Sequence, residues 1–164
     1  MRELKTTNVH GVYVVNHQRN VEPLKRHMPP FNENQIKDAE NQSRTLIYTT
    51  QLFAIYSDIE NGYITKEQVR DSLLQDGLAN FHSHLKSFGV PYNYFQNDTV
   101  ICLDLHNMQV SVGDMLYYED TLQRLVGLKV LSIKQEKQNF ETVKDGKTGI
   151  KVDKKVPRNK EIFR

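Results

Sequence analysis

The sequence contains six histidines, a residue type that can bind metal ions or act in acid–base catalysis. His82 and His84 stand two residues apart, and His10, His17 and His27 fall in one early stretch. A catalytic zinc ion takes three protein ligands and keeps one open position, and helical zinc sites show HExxH spacing. That spacing is absent here, so the histidines are interpreted as exposed polar residues and no metal site is predicted.

The segment SDIENGYITKEQ shares its centre with a calcium-binding loop. If Gly62 occupies the sixth position of such a loop, then Ser57, Ile59 and Gln68 occupy positions 1, 3 and 12. Isoleucine cannot supply an oxygen ligand from its side chain, and position 12 requires a bidentate carboxylate. The segment is therefore predicted to be the end of one helix and the start of the next.

Motifs for nucleophilic catalysis and nucleotide binding are also absent. The glycines fit neither GxSxG nor the phosphate-binding patterns GxxxxGK[ST] and GxGxxG. Glu141 and Lys144 are too widely spaced to project from the same face of a strand as a nuclease pair. We predict no catalytic residue and no cofactor, and whether the chain is an enzyme stays uncertain.

Cationic residues after the first strand are candidates for binding phosphate. Arg19, Lys25 and Arg26 follow Asn16 in a polar, proline-containing loop. Such side chains position a protein on a nucleic-acid backbone without reading bases, and Asn16 could face a cleft at the end of its strand. The alternatives are exposed loop charges and a turn-forming asparagine.

A second basic region lies at the end of the chain. Residues 129–164 hold 11 Lys and Arg against 5 Asp and Glu, a balance of +6, which leaves −4 for residues 1–128. Alternation after Gly149 places Lys151 and Asp153 on one face of a strand and Ile150 and Val152 on the other. The predicted basic strip could bind nucleic acid or serve as a solvated surface. It consists of Lys151, Lys154, Lys155, Arg158 and Lys160.

The first part of the chain has the pattern of an α/β segment. Apolar runs predict strands at Gly11–Asn16 and Thr45–Thr49, with a further strand near Leu78–Phe81. Asn32 with Gln35 and Thr65 with Gln68 are predicted capping boxes. Thr50 is the predicted cap of the helix between them.

From Thr99 onward short strands recur with turn signals between them, as in a small sandwich or barrel. The predicted fold is therefore α+β or α/β, with an α/β segment over 1–98 and a small basic β-barrel over 99–164. The single cysteine, Cys102, is predicted to be a buried hydrophobe. No apolar run is long enough for a membrane helix and no signal peptide is recognised, which predicts a cytoplasmic protein.

Residues 9–77 resemble the later half of PD-(D/E)XK restriction-endonuclease-like domains. In that family a strand ending in Asn precedes a Pro-x-x-Arg loop and a strand-Thr-Thr-helix unit. The matching residues here are Asn16, Pro23 with Arg26, and Thr49 with Thr50. The family's catalytic Asp and Glu-x-Lys lie upstream of the matching strand, so the resemblance implies a truncated nuclease-like fold or a subunit that another polypeptide completes.

Residues 107–164 resemble the second, β-barrel domain of translational GTPases. The resemblance is carried by Val112-Gly113-Asp114, by the strand LKVLSIK, by the turn Asp145-Gly146 and by the final KEIFR. The GTPase motifs themselves are absent, so the resemblance implies the barrel alone, which commonly serves as a binding platform.

Together these patterns predict a non-catalytic or truncated nuclease-like protein that binds nucleic acid, with DNA favoured, beside a protein partner subunit. A role in bacterial defence against phage comes from the resemblance alone. The alternative is a protein–protein adaptor whose α/β segment completes the sheet of a partner and whose barrel docks another subunit. A third hypothesis, a self-contained enzyme, would require a ligand pocket lined with titratable groups.

Overall fold

The computed structural model describes residues 9–164 and divides into two compact units. The first takes in the described part of Met1–His84 together with Thr121–Arg124, and the second consists of Leu85–Asp120 and Leu125–Arg164. The sequence-based division at 98/99 assigns 85–98 to the first module, whereas these residues lie in the second unit. They do so because β4 pairs with β13 near the end of the chain, and β5 forms a hairpin with β6, which is itself a strand of the second unit. Residues 1–8 of the predicted first module lie outside the described residues.

The helices belong to the first unit. They are α1 (Glu33–Asn41), α2 (Thr49–Glu60) and α3 (Lys66–Ser72), and a short 3-10 turn spans Pro23–Lys25.

Two of these helices begin with the predicted capping boxes. The amide of Gln35 donates to Asn32 Oδ1 at 2.9 Å, and the amide of Asn32 donates to Gln35 Oε1 at 2.9 Å. The reciprocal pair of Thr65 and Gln68 closes at 2.8 and 3.2 Å. The predicted cap at Thr50 is wrong, because α2 begins one residue earlier and Thr50 lies inside it.

A three-stranded parallel sheet supports these helices. Its strands are β1 (Gly11–Val15), β2 (Arg44–Tyr48) and β3 (Gly77–Leu78), in the order β1-β2-β3. The predicted strand near Leu78–Phe81 is confirmed only at its start, because the chain leaves the sheet after Leu78 and pairs once more through the Ala79 amide. The central strand is buried on both faces, as a parallel strand requires.

The second unit is built from β-strands. Its main sheet has eight strands in the order β4-β13-β8-β9-β12-β6-β5, with β10 pairing on β9, and a separate pair joins β11 to β7. The strands are β4 (Ser87–Gly89), β5 (Asn93–Phe95), β6 (Val100–Leu105), β7 (Val110–Ser111), β8 (Met115–Glu119), β9 (Leu125–Gln135), β10 (Gln138–Phe140), β11 (Thr142–Val143), β12 (Gly146–Val152) and β13 (Ile162–Phe163).

The side chains that alternate toward the inside of this sheet form one core. Ile101, Leu105, Ile133 and Ile150 are completely buried, and Phe88 of β4 joins the same cluster. Cys102 is buried as predicted, and this burial raises the pKa of its thiol. Since β4 and β5 stand at opposite ends of the order, backbone pairing among residues 9–164 does not close a barrel. The structure is thus a mixed α and β fold with several sheets.

Candidate nucleic-acid interface

Asn16, Arg26 and Thr49 meet where β1 and β2 end. Asn16 Oδ1 accepts a hydrogen bond from Arg26 Nη1 at 3.2 Å and from the Thr49 hydroxyl at 3.2 Å. Arg26 also donates through Nε to the Val21 carbonyl at 2.9 Å and through Nη2 to the Arg19 carbonyl at 3.5 Å. The carboxyl ends of parallel strands are where α/β sheets bind ligands. The structure therefore brings together three residues that are far apart in sequence, and it uses the arginine largely to hold the loop.

The other two cations of this loop lie at the surface. Lys25 Nζ lies 2.9 Å from Glu22 Oε2, and both side chains are 71% exposed. Arg19 is exposed, and its carbonyl accepts the Arg26 bond. An exposed ion pair of this kind is weak, so the Lys25 charge is only partly offset.

The predicted basic strip divides into residues with different environments. Lys151 is exposed while Ile150 and Val152 are 0% and 1% exposed, which confirms the predicted alternation. Lys154 Nζ donates to the Gly127 carbonyl at 3.0 Å. The carboxylate of Asp153 accepts the Lys129 amide at 2.8 Å. The strip is therefore not one continuous row of free ammonium groups.

The rest of the strip follows the turn after β12. The Arg158 guanidinium lies 3.2 Å from Asp98 Oδ1, so its charge is partly balanced. It also lies over the Tyr94 ring, 5.8 Å from the ring centre, in a cation–π contact. Lys155 is exposed and Lys160 is half-buried. Arg158 is thus held in place, whereas Lys155 carries its charge directly into solvent.

A second set of lysines lies on the outer face of the sheet beside Lys151. Strand register places Lys134 of β9 opposite Gly149 of β12, and Lys147 of β12 opposite Asp104 of β6. Directly paired residues project to the same side, and Lys134, Lys147 and Lys151 are all exposed. Asp104 is the one carboxylate at these paired positions and is also exposed.

We call this outer surface the lysine face. It comprises the outward positions of four neighbouring strands: Ser132 and Lys134 of β9; Lys147, Gly149 and Lys151 of β12; Val100, Cys102 and Asp104 of β6; and Asn93 and Phe95 of β5.

Sequence reasoning missed Lys134 and Lys147 as partners of Lys151. They lie 17 and 4 residues away along the chain, and only the pairing of β9 with β12 places Lys134 near the others. The period-2 pattern of GKTGIKV was the available signal for Lys147, since it places Lys147 and Lys151 on one face of the strand.

Aromatic side chains stand at one end of the lysine face. Phe95 is 54% exposed and pairs with Val100, which in turn pairs with Lys151. Tyr92 is 57% exposed, and its amide donates to the Cys102 carbonyl at 3.0 Å. Partial burial, and then the nearby Cys102 and Asp104, raise the pKa of the Tyr92 hydroxyl. The ring of Tyr92 thus lies beside outward residues of β6.

Three of the six histidines take structural roles through their side-chain contacts. His17 Nε2 donates to the His27 carbonyl at 2.7 Å, and His10 Nε2 lies 2.6 Å from the Thr45 hydroxyl. His82 Nε2 lies 3.0 Å from the buried carboxylate of Asp58. Within residues 9–164 no group of three His, Cys, Asp or Glu side chains is arranged to hold a metal ion.

The first unit also has an open cleft of about 440 Å³ along α2. Phe53 and Tyr56 line it together with Glu60 and Arg124, and its lining is mainly apolar. Thr50 also lines it, and its buried hydroxyl has no hydrogen-bond partner among residues 9–164. The cleft could accept an apolar group.

No family model matches this chain, and no curated protein matches it. Among solved structures, it is similar to the C-terminal domain of a putative U32 peptidase from Geobacillus thermoleovorans. That structure has a TM-score of 0.37 and 10% identity, over 45% of this chain and 85% of the other. The selenomethionine variant of that domain has a TM-score of 0.39 and 11% identity, over 48% and 99%. These scores are too low to support an inference about function. No helix in the described part of the chain is long and apolar enough to cross a membrane.

Proposed function

We propose that this chain binds nucleic acid through its second unit and forms part of a larger nuclease-like assembly. The observation that carries the proposal is the lysine face, where three exposed lysines stand against one aspartate. Cationic side chains on a sheet surface can replace the counterions condensed on a phosphate backbone, which favours binding without base recognition.

The position of these lysines suits a linear polyanion. Lys147 and Lys151 are four residues apart on β12, or about 13 Å at the usual rise of a strand. Lys134 lies one strand away, at a distance of about 5 Å between neighbouring strands. Ammonium groups on flexible stems at such spacing can follow successive phosphates.

The finer proposal for the fold is that the second unit is barrel-like, as the resemblance to translational GTPases implies. The support is that β4, at one end of the strand order, contacts β6 near the other end, and that Phe88 of β4 shares the common core. The nuclease-like origin of the first unit and a role in defence against foreign DNA remain proposals from resemblance. The meeting of Asn16, Arg26 and Thr49 is consistent with the first of them.

The test is the salt dependence of binding to fluorescent DNA and RNA. We expect affinity to fall steeply between about 50 and about 200 mM salt. Replacing Lys134, Lys147 and Lys151 by Gln together should lower the logarithmic salt slope by about 2 on single strands, at about 0.7 per phosphate contact. The matched control replaces three exposed lysines elsewhere, Lys37, Lys66 and Lys86, with the same loss of charge. No binding at low salt, or equal effects of the two triple variants, would refute the proposal.

A second candidate function, a protein–protein adaptor, is favoured by the environment of β1. Among the strands of residues 9–164, this strand stands at the end of its sheet, and Val12, Tyr13 and Val14 are 44%, 48% and 52% exposed. Parallel strands are normally covered on both faces, and an uncovered edge readily pairs with another strand. We therefore propose that a strand of a partner subunit pairs with β1 in the assembly.

This candidate predicts a specific loss of assembly. Replacing Val12 and Val14 by Lys should release a partner subunit that copurifies with the wild-type chain from its own cells, because charges at an edge oppose strand pairing. Binding of nucleic acid by the second unit should remain. Retention of the same subunit, or the absence of any stoichiometric partner, would count against the adaptor.

A further inference from the structure

The lysine face carries exposed aromatic rings next to its cations, and this combination distinguishes between kinds of nucleic acid. In the β12-β6-β5 row, Lys151 pairs with Val100 and Val100 pairs with Phe95. At about 4.8 Å between strands, the Phe95 backbone lies about 10 Å from that of Lys151. Phe95 is 54% exposed although it sits in a regular strand next to a well-packed core. More than half of its surface is therefore available for contact with a ligand.

The middle of the face is made of small residues. In the next row Lys134, Gly149, Cys102 and Asn93 follow one another across the sheet. Gly149 has no side chain, and a Cβ built there would meet no atom nearer than 3.7 Å. Cys102 is buried, while Tyr92 is 57% exposed at the rim of this row. The face therefore has small residues at its centre, lysines on one side and aromatic rings on the other.

A double helix offers phosphates to such a surface but keeps its bases stacked inside. A single strand offers phosphates and bases together, and base stacking on aromatic side chains is the usual source of affinity in proteins that bind single strands without sequence preference. Lysines that follow the backbone beside rings that face solvent are the two components of such a site.

We propose that the lysine face binds single-stranded nucleic acid, with Lys134, Lys147 and Lys151 on the phosphates and bases stacked on Phe95 and Tyr92. The proposal depends on the nucleic-acid binding proposed above and names its substrate class. Asp104 lies on the same face, which reduces the total attraction and keeps the cationic part near β9 and β12. Little base preference is expected, because every base has a π-face.

The experiment compares labelled oligothymidine, an abasic strand of equal length, and a duplex of equal length. The wild-type chain should bind oligothymidine at least about fivefold more tightly than the abasic strand, since one stacked base contributes at least that factor. Phe95→Ala should reduce this difference by about fivefold, the contribution of one stacked base, and leave duplex binding within about twofold. The matched control is Phe53→Ala, which removes a 79% exposed ring from the first unit.

The outcomes separate this proposal from the one before it. If no nucleic acid binds, both fail. If duplex, abasic and thymidine strands bind alike, or if Phe95→Ala and Phe53→Ala behave alike, single-strand recognition is refuted while electrostatic nucleic-acid binding stands. Loss of oligothymidine binding in Tyr92→Phe to the same degree as in Tyr92→Ala would also contradict stacking, because the phenylalanine ring retains the π-face.

Discussion

Breaking the contact between Asp58 and His82 should destabilise the first unit far more than breaking an exposed ion pair. Asp58 Oδ2 lies 3.0 Å from His82 Nε2, and the two side chains are 0% and 10% exposed. Asp58 lies in α2, and His82 follows the sheet. The contact thus ties the end of the helix to the chain that leaves β3.

The expected magnitude follows from burial. Removing one partner of a buried pair typically costs about 3–5 kcal/mol, a large part of the roughly 5–15 kcal/mol that stabilises a domain. We expect Asp58→Ala to fall in this range. Asp58→Asn keeps the shape and one hydrogen bond, so it should cost less, at about 1–2 kcal/mol.

The assay is urea unfolding followed by far-ultraviolet circular dichroism. The helices of residues 9–164 all belong to the first unit, so the helical signal reports on that unit. The control is Asp71→Ala, which breaks the contact with Arg70 at 3.4 Å between side chains that are 67% and 69% exposed, and which should change the free energy of unfolding by less than about 1 kcal/mol. If Asp58→Ala and Asp71→Ala lose similar amounts, the reasoning from burial is refuted.

Three further predictions concern stability. Asn32→Ala should lower the free energy of unfolding by about 1 kcal/mol, because it removes the cap of α1. An unchanged free energy of unfolding in urea would contradict the capping role. Ile150→Ala should cost about 2–5 kcal/mol in the second unit, because the side chain is completely buried, and a loss below about 1 kcal/mol in thermal unfolding would count against a tightly packed core. His84 is exposed, but its partial desolvation, and then the neighbouring His82, lower the pKa of its imidazole. The unfolded state therefore takes up the proton first, and stability from this residue is lost as pH falls below about 6.5. Urea unfolding at about pH 8 and about pH 5.5 should therefore show a smaller acid loss for His84→Asn than for the wild type, and equal losses would contradict the sign.

Local elements followed from local chemistry. The Asn32 and Thr65 capping boxes were predictable because a side chain and an amide three residues apart satisfy each other without help from the rest of the chain. Thr50 misled the prediction for the opposite reason. Its type suits a cap, but β2 delivers the chain to α2 at Tyr48, so the threonine is buried inside the helix.

The boundary between units could not be read from composition. Residues 85–98 look like an irregular connection, since their strands are only three residues long. They belong to the second unit because β4 pairs with β13 and β5 pairs with β6. The pairing of β4 with β13 joins segments far apart in the chain and therefore has no local signal, whereas β5 and β6 are neighbours in the chain.

The sequence by itself determined the order of elements in the α/β half, the buried character of Cys102, the basic balance of residues 129–164 and the outward direction of Lys151. These features depend on residue type and on the side-chain periodicity of strands and helices, about 2 and about 3.6 residues, which involves only near neighbours in the chain. Tertiary structure alone decided which charges act together. In the folded chain Lys154 donates a hydrogen bond to the Gly127 carbonyl, and Arg158 pairs with Asp98. Strand pairing also places Lys134 and Phe95 on the lysine face with Lys151. The physical reason is that burial of the apolar face of the sheet sets the register between strands. That register then decides which outward-facing residues become neighbours.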